Sequence, residues 1–188
     1  MTLAISGDNP NFTNAVLTTP TLNSPTISGT PAMGASVITS GTAVASTSGT
    51  SIDFTSIPSW AKRITVLFNI VSTSGTSPII IQIGSGSVQT TGYSSAASSG
   101  TAGTYPTSGL AITNGGAATN IVSGGYAICL MGSNVYAGYG CTTQNLTTNV
   151  PHVCAGSVTA SGAIDRVRVT TVGGTDTFDA GSINILYE

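Results

Sequence analysis

The stretch Lys62-Arg63-Ile64-Thr65-Val66-Leu67-Phe68-Asn69-Ile70-Val71 alternates, with Ile64, Val66, Phe68 and Ile70 on one side and Thr65, Leu67 and Asn69 on the other. A period of two belongs to a half-buried β-strand, because successive side chains of a strand point to opposite faces of its sheet. Working outward, Pro78–Ile83 is a short apolar run suited to a buried strand. Gly125–Met131, Val153–Thr159, Ile164–Val172 and Ser182–Tyr187 follow as further strands, divided by Gly-Ser, Gly-Gly and Asn-Gly turn signals. That spacing predicts an all-β fold, an antiparallel β-sandwich or jelly-roll-like domain, with no helix. The stretch Tyr93–Ile121 is rich in Gly, Ala, Ser and Thr and has little periodicity, so it is expected to form long loops or weak edge strands, where recognition usually resides.

Composition agrees with this reading. Charged residues make up 5% of the 188 residues, far below the roughly 25% of an average soluble protein. Helices in water need exposed Lys, Glu, Arg and Gln, whereas Thr and Ser can solubilise a pleated surface. A hydrophobic fraction of 40% with a net charge of −2 argues for a folded domain beyond about Thr50 rather than disorder. So small a charge gives copies of the chain little reason to repel, and self-association is expected. Four basic residues leave phosphate neutralisation almost nothing to work with, so no nucleic acid is expected as a partner. Met1–Pro10 lacks the pattern of a secretory signal and no apolar run reaches the ~20 residues of a membrane span, which predicts a protein made in a cytoplasm with no membrane partner. Cys129, Cys141 and Cys154 are odd in number and lack CxxC spacing, so buried free thiols are expected. Two matches to the N-glycosylation pattern, at Asn11 and Asn145, carry no weight in so Asn/Thr-rich a chain.

The N-terminal part differs from the rest. Pro10, Pro20, Pro25 and Pro31 recur there, and Thr19-Pro20-Thr21-Leu22 returns as Ser24-Pro25-Thr26-Ile27. Proline at this density removes ladder donors and holds the preceding residue extended. Residues 1–49 are therefore expected as an extended Pro/Thr/Ser-rich arm for assembly, and 50–188 as a β-sandwich head. Phe12, Val16, Leu17, Leu22, Ile27 and Met33 stand along the arm, with Ile5, Val37 and Ile38, too sparsely to make a core of their own. They are expected to bury against a partner subunit or scaffold; the alternative is that the arm folds back over its own head.

Chemistry has few carriers. The acids are Asp8, Asp53, Asp165, Asp176, Asp179 and Glu188, and none forms the flanking carboxylate pair that glycoside hydrolysis needs. Asp176 and Asp179 could be imagined as a calcium loop but match no loop spacing, and turn capping accounts for them better. His152 is the only histidine; it reads as an ordinary loop residue, and with Cys154 it gives too few ligands for zinc. No catalytic, cofactor-binding or metal residue is assigned, and no enzyme activity or cofactor is expected. From Ile64 to Ile164 there is no Asp, Glu, Lys or Arg. On a strand Arg166 and Arg168 share one face and could grip a partner's carboxylates or pair within the chain with Asp53, Asp176 or Asp179. Trp60, in a turn after Pro58, is expected to cap the core or plug a subunit interface.

The run Asp53-Phe54-Thr55-Ser56-Ile57-Pro58-Ser59-Trp60-Ala61-Lys62-Arg63-Ile64-Thr65-Val66 resembles a segment of the C-terminal domains of tailed-bacteriophage tail-fibre and related virion proteins. The ending, Asp165-Arg166-Val167-Arg168-Val169-Thr170 and Gly174 through Glu188, is similar to the close of the same domain. The resemblance implies a β-sandwich, a homotrimer and a place on the virion. A tail fibre needs a long shaft, and this chain has neither heptads nor a sustained repeat. An apolar arm before a single head suits a capsid cement, or head-decoration, protein whose partner is the major capsid protein. The alternatives are a short tail-fibre or receptor-binding tip among the tail proteins, and a carbohydrate-binding module.

Overall fold

The alternation at Lys62–Val71 lies at the heart of a large sheet. A computed structural model describes residues 38–145 and 149–188. Its strands are β1 (Thr39–Ser40), β2 (Val44–Ala45), β3 (Ser51–Phe54), β4 (Arg63–Thr73), β5 (Ile79–Ser85), β6 (Ser87–Val88) and β7 (Tyr93–Ser99). They continue with β8 (Ala102–Thr104), β9 (Leu110–Ala111), β10 (Ile121–Gly132), β11 (Val135–Asn145), β12 (Asn149–Thr159), β13 (Arg166–Thr171) and β14 (Phe178–Tyr187). The described residues contain no helix. Nine strands form one antiparallel sheet in the order β1-β14-β4-β10-β11-β12-β7-β8, with β2 also on β14; five form a second, β3-β13-β5-β6, with β9 on β5. The protein is thus an all-β, antiparallel two-sheet sandwich.

The core is the space between the sheets. Ile64, Val66 and Phe68 of β4 meet Tyr126 and Ile128 of β10 and Ile183 and Ile185 of β14, and opposite them stand Ile52, Phe54, Ile79, Ile81, Ile83, Val167 and Val169 of the small sheet. Each such aliphatic side chain contributes roughly 1.5–3 kcal/mol by leaving water. The β5 run is buried on both faces. Its odd residues face the core, while Ile80 and Gln82 face outward beneath the 105–109 segment. There the Gln82 amide donates to the Ser108 carbonyl at 2.8 Å, and a Cβ on Gly109 would lie 2.8 Å from Ile80 Cδ1.

Several expectations change in detail. Ile70, expected inside, has φ +55° and is 49% exposed, and Val71 takes the buried place. The cause is a bulge: the register of β4 slips against both β14 and β10 here, Gly181 at φ +89° packs against the Ile70 carbonyl, and the Ile70 N–H donates to Ser123 Oγ at 3.0 Å. The 93–121 stretch, expected as long loops or weak edge strands, takes the second form: β7 and β8 lie at the edge of the large sheet and β9 on β5. β11, not foreseen, is masked in the sequence because its inward positions include Gly138 and Gly140, whose missing side chains make room for the Tyr126 ring. Ser133 and Asn134, both at positive φ, close the β10–β11 hairpin in the manner of a type I′ turn. Residues 38–49, read from the sequence as the end of the arm, join the large sheet: Thr39 and Ser40 pair with Tyr187 and Leu186, and Val44 and Ala45 with Ile183 and Ser182. The arm residues Phe12, Val16, Leu17, Leu22, Ile27 and Met33 lie outside the described residues.

Candidate functional site

The few charges sit in pairs. Arg168 and Asp53 face each other across β13 and β3, and the guanidinium donates to both carboxylate oxygens, at 2.7 and 2.8 Å. Arg166 holds Asp165 at 2.7 and 3.2 Å, and that contact first of all lowers the Asp165 pKa, with help from the Gly86 N–H. The two arginines do share the outer face of the small sheet, as strand geometry dictates, and each is already occupied by an acid of its own chain. Arg63 pairs with Glu188. The Asp176 carboxylate accepts the Ser77 N–H at 2.9 Å, which is turn capping across two connections. Trp60 is 54% exposed and leans on Tyr187, ring centroids 5.6 Å apart.

His152 corrects the sequence reading. It is not a loop residue; it stands on β12 with its side chain wholly buried between the sheets. The Asn114 amide donates to Ser99 Oγ at 2.9 Å and to the Ala102 carbonyl, which leaves Oδ1 to accept from His152 Nε2 at 2.7 Å. Nε2 therefore carries the proton, and Nδ1 has no hydrogen-bond partner among the described residues. Burial drives the His152 pKa below the ordinary imidazole value. Two residues on, the Cys154 thiol donates to the Ile112 carbonyl at 3.0 Å, and burial pushes its pKa up to about 11. Thr142 donates to the same carbonyl at 3.0 Å, while the buried Tyr126 hydroxyl has no hydrogen-bond partner among the described residues, its pKa raised by desolvation. A nucleophilic thiol needs a lowered pKa and access; Cys154 has a raised one and is enclosed. This cluster is a neutral polar seam in the core. Of the other thiols, Cys129 is half-buried and Cys141 exposed, and all three are free.

Two surfaces remain. On the outer face of the small sheet a depression of about 340 Å³ is lined by Gln82, Thr90, Ser108, Arg168 and Thr170 among others. The outer face of the large sheet is broader. Its register sets Leu67, Gly125, Cys141, Val153 and Ser98 in one cross-strand row, and Thr65, Ala127, Tyr139, Ala155 and Ala96 in the next. Tyr139 is 60% and Val153 68% exposed. β7, β8, β10, β11 and β12 contain no charged residue. The five strands β7, β8, β10, β11 and β12 of the uncharged interval thus lie side by side in the large sheet, bordered by β4 with Arg63, while β5, β6 and β9 of the same interval belong to the small sheet. No family model, curated protein or solved structure matches the chain.

Proposed function

We propose that this chain is a non-enzymatic structural protein of a tailed-phage virion, a homotrimeric capsid cement or head-decoration protein carried at the virion surface, whose arm clamps neighbouring subunits of the shell. The observation that carries this reading is the uncharged outer face of the large sheet, with Leu67, Tyr139 and Val153 standing out of it. Apolar side chains gathered on an exposed face favour contact with protein over contact with water. The resemblance of 53–66, 165–170 and 174–188 to phage virion domains supports the same reading. Enclosure keeps His152, the only histidine, and the neighbouring Cys154 thiol from meeting a substrate as a pair. A short tail-fibre or receptor-binding tip is the second reading, favoured by the hydroxyl- and amide-lined depression around Gln82 and Arg168. That depression lies in the ~300–1,000 Å³ range of ligand sites, and its lining would suit a saccharide.

The test is immunogold labelling of intact particles, with a chain lacking residues 1–37 as the second arm. That deletion spares β1 and β2, which belong to the sheet. Label over the head, a trimeric mass for the full chain, and loss of attachment with the trimer preserved in the truncated chain are expected. Label confined to the tail would refute the cement role and favour the tip.

A further inference from the structure

We propose that the outer face of the large sheet is where copies of this chain meet one another. This rests on the self-assembling structural role proposed above and names the surface that performs it. The occupant follows from charge and shape. A partner recognised by ion pairs would find nothing to hold on β7, β10, β11 and β12. A second copy presents an equally uncharged surface, so bringing two together desolvates no unpaired charge and sets no like charges against each other. Ala127 and Ala155 flank Tyr139, and Gly125 lies beside Leu67. These small residues leave shallow troughs next to large side chains, the relief that packed sheets need in order to interdigitate.

Area is sufficient. The strands β4, β10, β11, β12 and β7 have 11, 12, 11, 11 and 7 residues. At about 4.8 Å between strands and 3.3 Å per residue they span roughly 24 by 34 Å, about 800 Å². That is one partner's share of a standard specific interface. Cys141, in the middle of the row between Gly125 and Val153 and exposed in the single chain, reports directly on whether the face is covered.

The experiment uses the full chain. Its mass is measured by light scattering after gel filtration, and the alkylation rate of Cys141 is followed by peptide mass spectrometry under native conditions, for the wild type, Val153→Glu and Tyr139→Ser. Both substituted side chains are mostly exposed in the single chain, so the β-sheet circular dichroism should be unchanged. Burying an unpaired carboxylate in an interface weakens association by far more than tenfold. The expected result is an oligomeric wild type with Cys141 protected at least about tenfold relative to Val153→Glu, which dissociates; Tyr139→Ser should weaken the oligomer more mildly. A trimer with freely alkylated Cys141 would overturn the assignment of this face and leave the trimer standing. A dimer with protected Cys141 would support the face and refute the trimer. A folded monomer with reactive Cys141 would sink both.

Discussion

Gly138→Ala is expected to be among the most damaging single-methyl additions in the protein. A Cβ at this position would lie 2.3 Å from Tyr126 Cε1, 2.7 Å from its hydroxyl and 2.9 Å from Cζ. The ring is fully buried between the sheets and has no solvent to swing into, and its own strand is fixed on both sides by β4 and β11. Overpacking of a well-filled core costs typically 1–3 kcal/mol, and a contact this short against a ring with no escape belongs at the upper end, about 3 kcal/mol. In a domain of this size that lowers the melting temperature by roughly 6–12 °C. The assay is urea unfolding followed by circular dichroism, with the midpoint shifting at constant slope. A cycle isolates the cause. Tyr126→Leu removes the ring at a cost of its own, and in that background Gly138→Ala should cost less than about 0.5 kcal/mol, giving a coupling of roughly 2 kcal/mol or more between neighbours. Additive effects, or a Gly138→Ala protein as stable as the wild type, would refute the claim that glycine on β11 exists to seat Tyr126.

His152 predicts the pH dependence. Its folded pKa lies below the unfolded value of about 6.5, so between the two values the unfolded chain holds more protons. Stability contributed by the neutral buried ring is therefore complete above about pH 7.5 and is lost as pH falls through 6.5 towards the folded value. Urea midpoints at pH 8 and pH 5 should differ for the wild type, and His152→Gln should remove much of that difference. At Ile70, a β-branched residue at φ +55° bears roughly 1–2 kcal/mol of left-handed strain. In Ile70→Gly the relief of strain is offset by the lost contacts of the half-exposed side chain and by roughly 0.5–1 kcal/mol of added unfolded-chain entropy, so stability should stay within about 1 kcal/mol of the wild type; a larger loss would mean that the contacts outweigh the strain.

Much of the sandwich is legible from the sequence wherever apolar residues alternate. Ile64, Val66 and Phe68 point inward because a strand with one wet face leaves no other arrangement. The reading failed where one side chain did the work of several. β11 has glycine at inward positions because Tyr126, from the next strand, fills their space, and no local pattern records a debt owed by a neighbour. The bulge at Ile70 is likewise set by Gly181, far along the chain, so its inward assignment followed the period and missed the slip. His152 reads as a loop residue because it follows Pro151 and precedes the apparent strand Val153–Thr159; its hydrogen-bond partner Asn114 is brought near only by the folded sheet. The arginines are readable as a pair on one face, while their partners are not, since Asp53 stands opposite Arg168 only through the β3–β13 register. The uncharged interval is visible at once, but the sequence does not show that five of its strands lie side by side in the large sheet.

The pairing of β3 with β13 joins Phe54 to Val167, and β4 is bordered by β14 from Thr65 to Leu186. Neither sheet can therefore be completed by zipping neighbouring hairpins. The chain must first close loops of more than a hundred residues, an entropic cost that precedes the contacts rewarding it. Folding should be slow, and the β10–β11–β12 meander, the longest run of strands joined by short connections, should form first and wait with an open edge at β10 until β4 arrives. During that wait its uncharged surface is exposed in every copy, so assembly and aggregation compete for the same face, and the yield of native protein should fall steeply with concentration during refolding.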